Sequence, residues 1–422
     1  MLSLIMSRRR TFSISLLVLL GACARPRAPD TGAPIGPPVS GDERCLMSTG
    51  NVSGRAPTIT IGLTDPVVPR HAPVPRNDGE RLVFRHLYET PVRIDCDGHV
   101  LPALAESWVR DDGGRRWTFR LREGAQFWDG APVTSRDLVF GRGGTGYTLG
   151  APETRVVTMA LARQSDDVPP VLGDPALAVT KAAPDTSWPI GTGAYWATSA
   201  TTTAQEIRAH SLRGDTLVFR FAASGDARDL LDAGVDLLVT RDRALRDYAA
   251  TLKDLTVVAL PWDRTYVYVT AEGGGPRLDG LEQAVRAEAR RAEGNAWWED
   301  LRACGPRQSS ALAAPAGQRR ILYSRSDPTA RELAGRIAAL TRATASARSN
   351  DDLSAAVAAG KDWGYVIALP RATADPCRTA AELLPPWATT LIALVDTRPT
   401  AIVRRGVARW TVDRDGTVRL AP

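Results

Sequence analysis

Three short runs decide how this chain is built. They are Leu101-Pro102-Ala103-Leu104-Ala105-Glu106-Ser107-Trp108, Trp117-Thr118-Phe119-Arg120-Leu121-Arg122-Glu123-Gly124 and Phe127-Trp128-Asp129-Gly130-Ala131-Pro132-Val133. The second is apolar at alternate residues, Trp117, Phe119 and Leu121, so it predicts a strand with one buried face and one wet face. Glu123-Gly124 closes it. Thr134-Ser135-Arg136-Asp137 then has capping-box spacing, which predicts a helix from Ser135. Gly141, Gly143, Gly144 and Gly146 stop that helix early. Strand, turn and short helix in close succession mark an α/β chain.

The same grammar continues on both sides. Upstream, Ile59, Ile61 and Leu63 alternate with Thr58, Thr60 and Gly62, a half-buried strand. Downstream, Asp226 caps a short helix that ends at Gly234, and Val235 to Val239 reads as a buried strand. Leu281, Val285, Ala289 and Ala292 line one face of a helix over 279–293. Ile321 to Tyr323 is a short strand. Asp327-Pro328 has the N-cap and first-turn chemistry of a helix burying Leu333, Ile337 and Leu340. A helix over 351–359 ends at Gly360, ahead of a strand from Tyr365 to Leu369. Thr390 to Asp396 and Val418 to Leu420 are further strands, with Asp415-Gly416 a hairpin turn. No internal repeat is found.

With 422 residues, 44% hydrophobic and 24% charged, the chain has an ordinary globular composition and room for two or three domains. That argues against a wholly disordered, fibrous or polytopic membrane protein. The net charge of +6 falls to +3 once Arg8, Arg9 and Arg10 are set aside as part of a leader. No basic face for a nucleic acid is indicated. Lys181, Lys253 and Lys361 are the only lysines, a bias that reads as codon usage in a GC-rich genome.

The leader itself is legible. Arg8-Arg9-Arg10, an apolar stretch from Thr11 to Leu20, and Gly21-Ala22 before Cys23 form an export signal over 1–22. The apolar stretch is far below the ~20 residues of a bilayer-spanning helix. Leu20-Gly21-Ala22-Cys23 resembles the bacterial lipobox, which implies cleavage before Cys23 and lipidation of its thiol and new amino group. Several acyl chains make a stable anchor where one is marginal. The plainer alternative is an ordinary signal peptide with a chance cysteine. Residues 23–55, with Pro26, Pro29, Pro34, Pro37 and Pro38, read as a semi-extended tether. The expected location is the cell envelope, membrane-anchored and facing the periplasm or exterior. Ala24, where aspartate would retain the protein at the inner membrane, leans toward the outer one. Cys45, Cys96, Cys304 and Cys377 remain, an even number that in an exported chain suggests two disulfides with three possible connectivities. Their spacings match no zinc pattern.

Taken together, Leu87-Tyr88-Glu89, Asp97-Gly98, the three opening runs and Asp137 resemble the family 5 extracellular solute-binding proteins, the peptide/nickel-type receptors of ABC importers. Fainter echoes are Gly191-Thr192-Gly193-Ala194-Tyr195, Leu231 to Asp236, Val285-Arg286 and Arg404-Arg405-Gly406-Val407. The resemblance implies a two-lobed, periplasmic-binding-protein-like α/β fold of class II type, closing on a ligand. Its crossovers would lie near Pro261–Tyr268 and Leu384–Ile392. Residues 56–262 plus 391–422 would form the first lobe and 263–390 a second, reduced lobe. Local pairing, Cys45–Cys96 and Cys304–Cys377, then keeps each disulfide within one lobe. Peptide-binding members carry a tryptophan and, three residues on, an aspartate that pairs with the peptide ammonium, ahead of an Asp/Glu-Pro pair. A buried charge needs such a partner. Aligned on Asp375-Pro376, those positions hold Leu369 and Ala372, so Asp375 is the remaining carboxylate for the role. Arg371 beside it would favour an acidic or sugar-like group, or is a solvated surface residue.

Closing clefts bind with aromatic walls and a few convergent polar groups. The candidates are Asp65 after the first strand, Trp262, Arg264 and Tyr266 at the crossover, and Trp363; each could equally be packing. Trp108, Trp117 and Trp128 read as first-lobe core. The glycine-rich run after Gly141 lacks a phosphate-loop lysine. His71, His86, His99 and His210 have no metal-ligand spacing, and no nucleophile elbow occurs. Catalytic residues, cofactor and metal are therefore not expected. The expectation is a monomeric, lipid-anchored receptor that carries a small-molecule or oligopeptide ligand to ABC permease subunits by closure. The alternative is a degenerate relative serving as an envelope scaffold or sensor.

Overall fold

The computed structural model describes residues 45–47, 58–111, 113–139, 146–183, 188–222, 225–270, 319–370, 387–388 and 390–421. Thr58–Leu63 is the middle strand of a seven-stranded sheet. It runs parallel to Thr216–Phe221 on one side and Leu237–Thr240 on the other. Thr400–Arg404 returns antiparallel beyond these, followed by Leu255–Ala259. Ile59, Ile61 and Leu63 pack on Leu82, Val83, Phe84 and Leu87 of helix Asp78–Leu87. Gly62 faces the other way and is also buried: a Cβ there would sit 2.9 Å from Leu238 Cδ1. On the side expected to be wet Thr58 is exposed and Thr60 half-buried, and only the carboxyl end at Gly62 is covered, by Leu230 and Leu238.

The first two opening runs supply two strands of a separate four-stranded antiparallel sheet, ordered Ala105–Arg110, Arg116–Leu121, Val156–Leu161, Tyr147–Glu153. Trp108, Trp117 and Phe119 lie in its core, while Trp128 stacks on Trp196 with centroids 6.0 Å apart. Helix Ser135–Val139 starts where the capping chemistry predicts, the Asp137 carboxylate accepting from the Thr134 N–H at 2.7 Å.

A second, five-stranded sheet is ordered Thr344–Arg348, Arg320–Ser324, Gly364–Pro370, Arg264–Thr270, Thr390–Thr397. Helix Pro328–Thr341 covers one face with Leu333, Ala334 and Ile337 against Tyr266, Tyr268 and Trp363. Leu340, expected in that stripe, is 55% exposed. It lies at the stripe's edge in the last turn, and Ala338 and Thr341 take the buried positions. Helix Asn350–Ala359 is capped by Ser349 and ends at Gly360, whose φ of +62° suits a residue without Cβ. Val267, Tyr365 and Trp387 fill the opposite face of the sheet.

The chain leaves the first sheet at Leu260–Asp263 and comes back at Thr397–Pro399. There Leu260 N–H donates to Pro399 C=O at 3.0 Å and Asp263 N–H to Thr397 C=O at 3.3 Å. The boundary expected at 390/391 falls inside strand Thr390–Thr397, which pairs with Arg264–Thr270 along its length. Alternation marks a strand but not which sheet it joins. Cys45 and Cys96 form a disulfide, Cα–Cα 5.7 Å, beside the small sheet of Leu46–Met47, Trp410–Val412 and Val418–Leu420. Cys23, Cys304, Cys377, the glycine-rich run from Gly141 to Thr145 and the helix expected over 279–293 lie outside the described residues. Among the described residues no helix is long and apolar enough to cross a membrane.

Candidate functional site

The two sheets face each other across a cleft of about 1790 Å³. Its first wall is built at the carboxyl end of strand Thr58–Leu63 and the start of helix Asp78–Leu87, contributing Asp65, Arg76, Asp78 and Arg81. Its second wall comes from Ser324, Asp327, Asn350 and Leu369. Trp262, Asp263 and Arg264 close it at the crossover. Carboxyl ends of parallel strands are where open α/β sheets present loops to ligands.

Charge dominates this cleft. Arg241, 7% exposed, spans two acids: Nε donates to Asp78 Oδ2 at 2.9 Å and Nη1 to Asp263 Oδ1 at 3.0 Å, while Nη2 takes the other Asp263 oxygen. Arg264 donates to the second oxygen of Asp78. Burial works to raise the Asp78 carboxyl, but Arg264, Arg241 and Arg81 outweigh it and hold it well below the usual carboxylate range. Asp65 is placed differently. Burial pushes its carboxyl up to about 6, the Asp78 charge adds to this, and Arg264 and the Gly79 N–H only partly offset it.

The sequence candidates separate accordingly. Asp65, Trp262 and Arg264 line the cleft. Trp262 also carries the Arg398 guanidinium 4.8 Å from its ring centroid. Tyr266 is fully buried on the helix-covered face, its hydroxyl donating to Asp327 Oδ2 at 2.7 Å. The other Asp327 oxygen accepts from Ala330 N–H at 2.9 Å, so Tyr266 holds the N-cap of helix Pro328–Thr341 instead of meeting a ligand. Trp363 sits in the core against Tyr268, centroids 6.1 Å apart, and its C=O accepts from the Thr270 hydroxyl. That is the far end of strand Arg264–Thr270 from the cleft. Arg371 and Asp375 lie outside the described residues. Sequence reading missed Asp78, Arg241 and Asp263, and saw Asp327 only as a helix cap. Each sits at the edge of a strand or helix, far apart in the chain, and no local motif joins them. Among the described residues, the one grouping with metal-ligand geometry is Cys45, Cys96 and Asp97, whose two sulfurs are already bonded to each other.

Residues 99–208 match the family described as bacterial extracellular solute-binding proteins, family 5 Middle. The periplasmic oligopeptide-binding protein OppA of Escherichia coli (strain K12) is 44% identical over 61 residues, 14% of this chain and 11% of that protein. The probable deoxycholate-binding periplasmic protein YgiS of the same organism is 44% identical over 68 residues, 16% of this chain and 12% of that protein. These matched stretches thus span under an eighth of each relative's length. Among solved structures, NikA from Brucella suis in complex with Fe(III)-EDTA superposes with a TM-score of 0.64 at 14% identity, covering 87% of this chain and 100% of that one. The dipeptide binding protein from Pseudoalteromonas sp. SM9913 in complex with Met-Leu gives 0.65 at 13% identity, covering 86% and 98%. At such identities the likeness carries the fold, and that fold is the two-lobed α/β architecture of these binding proteins.

Proposed function

We propose that this chain, whose residues 99–208 match the family 5 solute-binding proteins and whose fold is that of two-lobed binding proteins, is the receptor of an ABC importer, capturing a small solute between two lobes. The observation that carries this is the cleft of about 1790 Å³ walled by residues of both sheets. Among the described residues the chain crosses between the sheets at Leu260–Asp263 and Thr397–Pro399, so the lobes can turn about a narrow hinge. Capture then follows from burial and charge complementarity, and no chemistry is required. In this reading the first lobe is 58–262 with 398–421, and the second, reduced lobe is 264–397.

The ligand is peptide-like or another small polar solute. Proteins it resembles are named for oligopeptide and deoxycholate, and NikA is seen in complex with Fe(III)-EDTA, so no single solute class is singled out. Asp65, Trp262 and Arg264 are the residues assigned to the ligand here; Arg371 and Asp375, the other two sequence candidates, lie outside the described residues. The finer placement is a monomer lipidated at Cys23 and held in the envelope by the 23–55 tether, delivering to permease subunits.

Native mass spectrometry of the exported protein before and after denaturation tests this. A small molecule carried by the folded chain and released on unfolding is the expected result. A clean apo mass together with a flat thermal-shift panel of peptides and oligosaccharides would remove the receptor reading. One observation favours the alternative of a degenerate scaffold or sensor. The cleft arginines Arg241 and Arg264 are already paired with the protein's own Asp78 and Asp263.

A further inference from the structure

Away from the hinge, the two lobes meet again. Asn350 Nδ2 donates to the Arg76 C=O at 2.9 Å, and Arg76 Nη1 donates to Asp351 Oδ1 at 3.2 Å. Asn350 and Asp351 open the helix that follows strand Thr344–Arg348, the edge strand of the second sheet. That strand is three positions from Arg264–Thr270, where the chain enters the lobe, a separation of roughly 14 Å at normal strand spacing. Arg76 and Asn350 both line the cleft. Contacts at this point join the two cleft walls away from the crossover.

Both halves of the contact are held in place. On the first lobe, Glu80 is fully buried and gathers the segment leading to Arg76. It accepts from Val68 N–H at 3.1 Å, His71 Nδ1 at 2.7 Å and Arg76 N–H at 2.7 Å. Asn77 caps the same helix, accepting from Glu80 N–H at 2.8 Å, and its amide donates back to Pro66 C=O at 2.9 Å. The Arg76 carbonyl is thus aimed by a carboxylate inside its own lobe. On the second lobe, the Ser324 hydroxyl donates to Asn350 Oδ1, which leaves the Asn350 NH₂ pointing across the gap.

We propose that the segment from Pro66 to Asn77 is a strap and that Arg76, Asn350 and Asp351 form a latch holding the cleft closed, with Glu80 as the positioning residue of the strap. The proposal rests on the two-lobed fold and requires no knowledge of the ligand. The latch is weak by construction. Arg76 and Asp351 are 51% and 66% exposed, and an exposed pair plus one hydrogen bond shifts an equilibrium by roughly a factor of ten, not by thousands. It biases the resting protein toward closure while leaving it able to open.

The test is a distance measurement on ligand-free protein. Spin labels on non-cysteine handles at Leu212 and Leu340, exposed positions in the first and second lobes, report lobe separation by pulsed electron resonance. Asn350→Ala and Arg76→Asp should each raise the open-to-closed ratio roughly five-fold, and the double swap Arg76→Asp with Asp351→Arg should restore the short distance. Added salt should open the wild type and Asn350→Ala partway, because both keep the ion pair, and leave Asp351→Ala, which lacks it, unresponsive. Superimposable distance distributions in all variants, or opening by Arg76→Asp that the double swap does not reverse, would overturn the latch. Loss of ligand binding would leave it untouched, since every sample is ligand-free.

Discussion

Arg241 engages both carboxylate oxygens of Asp263, the residue at which the chain leaves the first sheet for the second. The pair is buried, with side-chain exposures of 7% and 2%. It fixes the direction of the crossover from the first-lobe side, while the third arm of Arg241 reaches Asp78 in the cleft wall. Hinge and wall therefore share one guanidinium.

Asp263→Ala should destabilise the protein by about 3–5 kcal/mol, because it leaves a buried guanidinium with half its countercharge. Asp351→Ala, which breaks an exposed pair, should cost less than about 1 kcal/mol. Urea unfolding of both variants separates the cases, and equal losses would contradict the role given to Arg241.

Asp65 makes stability fall as pH rises. Its folded pKa of about 6 lies above the ordinary value of 3.8, so between these values the native state binds more protons than the unfolded chain. The contribution is therefore full below pH 4 and lost by about pH 6. Asp65→Asn should flatten that slope and stabilise the protein near pH 7 by on the order of 2 kcal/mol. Asp78 acts in the opposite sense: its depressed pKa gives stability present above pH 4 and lost as acid is added below it. Thermal melts of wild type and Asp65→Asn from pH 4 to 8 measure the difference.

Gly193→Ala should prevent the first lobe from reaching its native packing. A Cβ there would lie 2.5 Å from the Leu87 carbonyl carbon and 2.6 Å from the His86 oxygen, both backbone atoms that cannot turn aside. Gly191 meets the Leu87 oxygen at 2.3 Å in the same way. The expected outcome is a large drop in melting temperature or no soluble protein. Gly124→Ala, with nothing within 4 Å but a φ of +68°, should cost only about 1 kcal/mol.

Cys96→Ala should lower stability by about 4 kcal/mol if the closed loop acts through the entropy of the unfolded chain, since the bridged residues are 51 apart. Denaturant melts of the oxidised protein and the variant give the value directly. A loss below 1 kcal/mol would mean that the reduced chain already keeps its amino end near Trp410.

Local periodicity and capping made the elements of this protein readable from the sequence alone. The strand Arg116–Leu121, the helix starts at Ser135 and Pro328, the stop at Gly360 and the turn at Asp415-Gly416 each depend on a few neighbouring residues. The glycines Gly191 and Gly193 were visible as part of a family pattern, yet their reason, contact with the end of helix Asp78–Leu87, required the folded chain. Sheet membership of Thr390–Thr397 and the removal of Tyr266 and Trp363 from the cleft were likewise decided by packing. The cleft's charge network is the clearest case. Asp78, Arg241, Asp263 and Asp327 come from four separate elements, and Coulomb attraction acts through space. Elements are written in short-range sequence, whereas this site exists only once the two sheets bring its charges together.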